Sequence, residues 1–244
     1  MISKSQVKYI QSLGQKKHRD AEHVFVAEGP KIVRELLLNK SAQLKSVYAI
    51  EEWKRNNEDV IPERDVVEIN ESELGKISQL KTPHQVLAVF KQFETVAPQT
   101  KDKISLVLDT IQDPGNTGTI IRLADWFGVT NIVCSCDCAD IYNAKVVQAS
   151  MGSIARVNVF YTDLQSWLKS QHEAIRIYAA LLEGKDVKQM DALNEGLIII
   201  GNESKGIHSG LMQYVDEKIT IPKKGHAESL NAAVAAGIIL SHLV

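Results

Sequence analysis

Two neighbouring stretches near the C-terminus constrain the fold more than any other part of the chain. An apolar run at 197–200 enters a loop with Gly201, Asn202, Glu203 and Gly206, and a second run with Ile219 and Ile221 is halted by Pro222 before a polar segment reaching Asn231. Each has the pattern of a short buried strand that runs into a polar turn. Gly201 and Gly206 bracket a turn where the backbone is free to approach a ligand. Pro222 cannot extend a ladder, and Ser229 stands where it would cap the Ala- and Val-rich helix that follows. Strand ends of this kind form the edge of an open α/β sheet, where such sheets bind ligands.

The upstream sequence supplies the rest of such a sheet. Residues 104–109 read as a buried strand, 113–118 as a glycine-containing loop, and Ile120, Ile121, Leu123, Ala124 and Phe127 as the apolar face of a helix. Strands at 131–134, 157–160 and 177–182 alternate with helices at 143–151 and 164–171, the order of a mostly parallel sheet. The first 95 residues alternate similarly. A helix is expected over 5–18, with Val7, Ile10, Leu13 and Gly14 facing inward. A strand from Phe25 leads to a helix opened by Pro30, further strands fall at 47–50, 66–69 and 84–90, and Asn70 introduces a helix over 71–80. The expected division is therefore a small α/β domain over 1–95, a polar linker over 96–102 and a second α/β domain over 103–244.

Composition excludes several classes. With 44% hydrophobic and 24% charged residues over 244 positions, the chain is neither disordered nor membrane-spanning, and its N-terminus has no apolar signal core, so a cytoplasmic location is expected. A net charge of −2 gives no global sign of nucleic-acid binding, but Lys4, Lys8, Lys16, Lys17 and Arg19 all precede the first acid, Asp20. Such a local basic run is either a solvated helix face or a contact surface for a polyanion. Cys134, Cys136 and Cys138 alternate, so a continuous strand would place them on one face. Without a fourth ligand or paired CxxC spacing they read as reduced thiols, and no metal site is expected.

Asn116, Gly118 and Arg122 form neither the dinucleotide fingerprint nor the phosphate-binding loop, which argues against both chemistries. Their value lies in order, because three polar segments, 116–122, 201–206 and 228–231, each follow an apolar strand and are placed to converge. With these residues in view, the chain resembles the SpoU/TrmH branch of the SPOUT methyltransferases. The likeness rests on Asn116 with Arg122, on Gly201, Asn202, Glu203 and Gly206, and on Ile221, Pro222, Gly225, Ser229, Leu230 and Asn231. Lys145, residues 149–153 and residues 181–184 match further. The first domain resembles, through Arg19, Phe25, Glu28, Gly29 and residues 82–86, the L30e-like RNA-binding domain of ribosomal-RNA members. Lys223 and Lys224 depart from the pattern, since the family often has an apolar residue after this proline, and Ala232 and Ala233 replace its more usual Val-Ser.

The resemblance implies methyl transfer from S-adenosylmethionine to a ribose 2′-hydroxyl of RNA, ribosomal RNA ahead of transfer RNA, by a homodimer whose C-terminal region forms a trefoil knot. A non-catalytic RNA-binding assembly factor on the same fold is the third reading. The resemblance assigns catalysis to Arg122, Asn116, Glu203, Ser229 and Asn231, and cofactor contact to Leu182, Gly184, Gly201, Ile221 and Leu230. The chemistry needs no metal, because the leaving group is a neutral thioether, but a 2′-hydroxyl is poorly acidic and needs help in losing its proton. For Arg122, proton abstraction, hydroxyl polarisation and phosphate anchoring all remain open, since a guanidinium normally stays protonated.

Overall fold

The computed structural model describes residues 2–61 and 65–244. They form two compact units, residues 1–94 with 142–155, and residues 95–141 with 156–244. Two expectations about the division are modified. The 142–155 segment, read from sequence as part of the second domain, packs within the first unit. The expected linker lies along the second, where Asn158 Nδ2 donates to Val96 O (3.0 Å) and Asn131 Nδ2 to Gln99 O (3.3 Å).

In the first unit, helices α1 (Lys4–Ser12) and α2 (Lys16–Glu22) replace the single helix expected over 5–18. The break falls at residues 13–15, where the buried Arg19 turns back and donates from Nη1 to Leu13 O (2.9 Å) and Gly14 O (3.0 Å). Its guanidinium thereby serves the carbonyls that a helix end leaves without intrahelical partners. Arg19 is thus withdrawn from the basic run, while Lys4, Lys8, Lys16 and Lys17 stay exposed. Strand β1 (Val24–Glu28) leads to α3 (Pro30–Leu38), β2 (Leu44–Ala49), α4 (Glu51–Arg55), β3 (Val66–Glu68), α5 (Glu71–Ile77) and β4 (Val86–Lys91), and the sheet order is β1-β4-β2-β3. Asn70 closes a capping box with Glu73 at the start of α5, as its type and spacing require. Phe25 centres an aromatic cluster with Phe90, Phe93 and Tyr142, at centroid distances of 5.7, 5.6 and 5.0 Å. Gly152 lies close to α3, where an added Cβ would come within 2.9 Å of Glu35 Cβ.

Glu28 ends β1 in a buried position. Its carboxylate accepts from Ser78 Oγ and from Gln79 N (2.9 Å). Burial pushes its pKa above the ordinary carboxylate range, and the two hydrogen bonds only partly pull it back. The folded state therefore binds a proton more tightly than the unfolded chain, and the stability this confers is complete below the unfolded pKa and lost as pH rises through the folded one. Glu28→Gln, which keeps an acceptor for Gln79 N without the charge, is expected to be more stable than wild type at neutral pH. Urea unfolding between mildly acidic and neutral pH checks this, and an advantage that grows toward acid would contradict it.

The second unit is built on six strands. They are β5 (Ile104–Leu108), β6 (Asn131–Ser135), β7 (Asn158–Thr162), β8 (Ile177–Asp186), β9 (Gly196–Ile200) and β10 (Glu217–Thr220), all parallel, in the order β10-β8-β9-β5-β6-β7. Helices α6 (Pro114–Trp126), α8 (Leu164–Gln171) and α9 (Ala232–Leu243) belong to this unit, whereas α7 (Ala144–Ser150) belongs to the first. One face of the sheet buries Val107, Val133, Ile177, Leu197 and Ile199 against Leu164 and Leu168 of α8. Among the described residues, no helix is long and apolar enough to cross a membrane, and no group of three or more His, Cys, Asp or Glu is placed to hold a metal. The cysteines do not share a strand face, because β6 ends at Ser135. Cys134 and Cys138 are buried and Cys136 is exposed.

Candidate active site

Three polar segments meet at the carboxyl edge of the parallel sheet. The first opens α6, where Pro114 occupies the first helical position and Asp113 caps the helix by accepting from Asn116 N (2.8 Å). Asn116 and Gly118, expected in the loop before the helix, thus lie inside its first turns. A proline at the first helical position is compatible with a helix that has already begun. The second segment follows β9. The Asn202 side chain folds over its own turn, accepting from Ser204 N (3.0 Å) and Lys205 N (3.1 Å), and donates across to Thr110 O (2.8 Å). Gly201 is fixed by contact, because a Cβ there would come within 2.5 Å of Gly206 C and 2.6 Å of Ile207 N. The third segment ends at Asn231, whose Oδ1 caps α9 by accepting from Ala233 N (3.0 Å) and Val234 N (3.2 Å). Asn231 therefore takes the capping role expected of Ser229.

Side chains from all three segments touch. Asn231 Nδ2 donates to Asn116 Oδ1 (2.8 Å), and Asn116 Nδ2 donates to Glu203 Oε1. The chain of amides leaves Glu203 as the terminal acceptor and holds its carboxylate in one place. Arg122 is not part of this network. It is exposed and its guanidinium makes no hydrogen bond or ion pair with the described residues. Six positions beyond Asn116, it lies about 9 Å along α6 and roughly 120° around it.

Beside the network is a cavity of about 670 Å³, in the range of small-molecule sites. Its lining includes Leu182, Gly201, Glu203, Ile221, Ser229 and Leu230, but not Gly184. The sheet itself opens this space. Strand β8 pairs with β10 through Tyr178 and Ala179, then, after a register shift, through Lys185 and Asp186, so residues 180–184 have no ladder partner in β10. Leu182 remains 75% exposed and Leu230 46% exposed at the cavity, an unfavourable display of large apolar side chains that a ligand would cover. Gly184 has a packing role, since a Cβ there would come within 2.6 Å of the Lys218 carbonyl.

The sequence reading missed the residues that hold the edge in place. Asp109 is buried at the end of β5, accepts from His208 N (2.6 Å) and receives the Thr110 hydroxyl (2.9 Å). Cys138 Sγ donates to Leu108 O (3.2 Å) and accepts from Ile111 N (3.3 Å), tying the next turn to the same strand. An acid placed immediately after a buried apolar strand was the available signal for Asp109.

The parallel sheet gathers these three segments over a ligand-sized cavity, and comparison with known proteins identifies this unit as a SpoU-type methylase domain. The chain belongs to the SpoU rRNA Methylase family, whose model matches residues 103–241, and the MRM3-like substrate binding domain matches residues 4–88. Among its relatives, the 23S rRNA (guanosine(2553)-2'-O)-methyltransferase RlmP of Bacillus subtilis (strain 168) is 31% identical over 97% of this chain and 95% of its own. The AdoMet-bound rRNA methyltransferase from Sinorhizobium meliloti is 30% identical with a TM-score of 0.84, covering 99% of this chain and 95% of its own. A tRNA-modifying TrmH/SpoU enzyme of A. aeolicus is 28% identical with a TM-score of 0.51, over 58% of this chain and 74% of its own.

Proposed function

We propose that the protein transfers a methyl group from S-adenosylmethionine to a ribose 2′-hydroxyl of ribosomal RNA, with residues 103–244 catalytic and dimer-forming and residues 1–95 selecting the RNA. The observation that carries this reading is the hydrogen-bonded chain from Asn231 through Asn116 to Glu203, which joins all three motif segments at the cavity. Leu182, Ile221 and Leu230 would hold an adenine ring through apolar contact, and the turn at Gly201 brings backbone polar groups within reach of the ligand. The cofactor supplies a methyl group on a positively charged sulfur. The chain's own work is to orient the ribose through Ser229, Asn231 and Glu203 and to assist loss of the hydroxyl proton with Arg122 or the carboxylate that Asn116 fixes.

Ribosomal RNA is favoured over transfer RNA because the likeness to RlmP extends over nearly the whole chain, whereas that to the tRNA-modifying enzyme stops at 58%. The knot belongs to the same reading. It is supported by the path from the outer strand β10 back to α9, which packs on α6 and ends with Leu193 N donating to Leu243 O (2.7 Å) in the β8–β9 connection. We place this homodimer in the cytoplasm. The test is to incubate the purified protein with S-adenosylmethionine and, separately, unmodified ribosomal RNA and transfer RNA, and to map 2′-O-methylation by sequencing. A single new ribose methylation in ribosomal RNA is expected. Methylation of transfer RNA alone would move the substrate assignment, and binding of RNA without transfer to either would leave an assembly factor.

A further inference from the structure

We propose that Lys205, Lys223 and Lys224 form a cationic rim on the cavity that grips phosphates of the substrate RNA rather than the carboxylate of the methyl donor. This rests on the methyl-transfer reading above. The three lysines come from two separate segments, the turn after β9 and the loop after β10, and all line the same cavity. Each is exposed, and none of their side-chain ammonium groups makes an ion pair or hydrogen bond with the described residues. Four lysines elsewhere in the chain pair with carboxylates: Lys16 with Asp20, Lys45 with Glu22, Lys54 with Glu68 and Lys185 with Glu217. The acids lining the cavity are Glu203, whose carboxylate is engaged by Asn116, and Glu228.

The charge of the two candidate anions decides between them. S-adenosylmethionine carries a sulfonium, an ammonium and one carboxylate, so its net charge is positive and a three-lysine rim repels it overall. RNA brings a negative charge at every phosphate, and a strand entering the cavity mouth to present a ribose must bring its adjacent phosphates to the rim. Neutralising phosphates with lysines releases condensed counterions, which makes the contribution steeply salt-dependent.

The linkage has a definite sign. RNA on the rim cancels the repulsion felt by the cofactor, so each ligand tightens the other, by the same factor in both directions.

The test compares wild type with the full-length triple variant Lys205→Gln, Lys223→Gln, Lys224→Gln, using a short fluorescein-labelled oligouridylate for the RNA and calorimetry for S-adenosylmethionine. Oligouridylate affinity is expected to fall about 10-fold or more near 0.1 M salt, and its log–log salt slope to become shallower by about 2, at ~0.7 per lost single-strand phosphate contact. Cofactor affinity without RNA should stay level or tighten, and the coupling between the two ligands should vanish. The corresponding triple arginine variant, which keeps the charge, should bind oligouridylate as wild type does. Weakened cofactor binding with unchanged oligouridylate binding would assign the lysines to the cofactor carboxylate and overturn the proposal, as would no change in either. Wild-type protein that binds oligouridylate in a lysine-dependent way but takes no S-adenosylmethionine would instead refute the methyl-transfer reading and leave the rim standing.

Discussion

Arg122→Ala is expected to lower single-turnover methyl transfer by about 10²-fold or more, the scale of a lost acid–base or oriented electrostatic contribution. Cofactor affinity and thermal stability should both stay near wild type. Arg122 is exposed, lies outside the cavity lining and holds no other described residue in place, so its removal is a surface substitution of roughly 0.5 kcal/mol or less. That combination is informative because Asn116 and Glu203 are tied to each other and to Asn231, and changing either disturbs the edge as well as the chemistry. Arg122→Lys then separates two modes of action. It keeps the charge but loses the planar fork, so substantial rescue indicates simple electrostatics and failure indicates oriented hydrogen bonding. The position of Arg122, roughly 120° around α6 from Asn116, means that the RNA or a second copy in the proposed dimer must bring the reacting ribose within its reach. Near-normal methylation by a folded Arg122→Ala protein would remove the role assigned to it and leave Glu203 as the remaining candidate for the proton.

How far the site was legible in the sequence depends on the kind of interaction involved. The strands and the order of the three polar segments follow from short-range patterns: apolar runs at 104–108, 131–134 and 197–200, each bounded by polar or glycine-rich residues, all become parallel strands. Local capping was partly readable. Asn70 caps α5 as expected, but the third segment holds both Ser229 and Asn231, two good capping types, and only the position of the first helical turn makes Asn231 the cap. Long-range choices left weaker traces. The single helix expected over 5–18 is broken by Arg19, whose carbonyl partners lie five and six residues back and which a charge count assigns to the surface. The 142–155 segment has ordinary helical periodicity, and nothing in that pattern specifies that α7 packs near β1 and Tyr142 near Phe25. The resemblance assigns Gly184 and Gly201 alike to cofactor contact. The structure separates them, one packed against β10 outside the cavity and the other at its wall.

Two glycines of the same cavity, Gly201 and Gly225, are expected to respond to alanine in opposite ways. A Cβ on Gly201 would come within 2.5 Å of Gly206 C, 2.6 Å of Ile207 N and 2.7 Å of Gly206 O. All three are backbone atoms in a turn closed by reciprocal hydrogen bonds, Asn202 N to Gly206 O (3.1 Å) and Gly206 N to Asn202 O (2.8 Å), so no side-chain rotation relieves the overlap. The turn must open, at a cost of about 1–3 kcal/mol typical of overpacking. Opening it displaces Glu203 from Asn116 and Asn202 from Thr110, both of which depend on the turn's geometry. Gly201→Ala should therefore lower the unfolding midpoint, weaken S-adenosylmethionine binding by at least about 10-fold, and reduce methyl transfer further than Arg122→Ala does, since it strikes the cavity wall and the polar network together. Gly225 also lines the cavity, but a Cβ there meets nothing within 4 Å, and its backbone is outside the positive-φ region that penalises a side chain. Gly225→Ala should leave stability and cofactor affinity close to wild type. Thermal unfolding and calorimetry on the two variants give the comparison directly. Equal tolerance of alanine at both positions would show that the turn after β9 adapts freely, and the placement of Glu203 by a rigid loop would have to be abandoned.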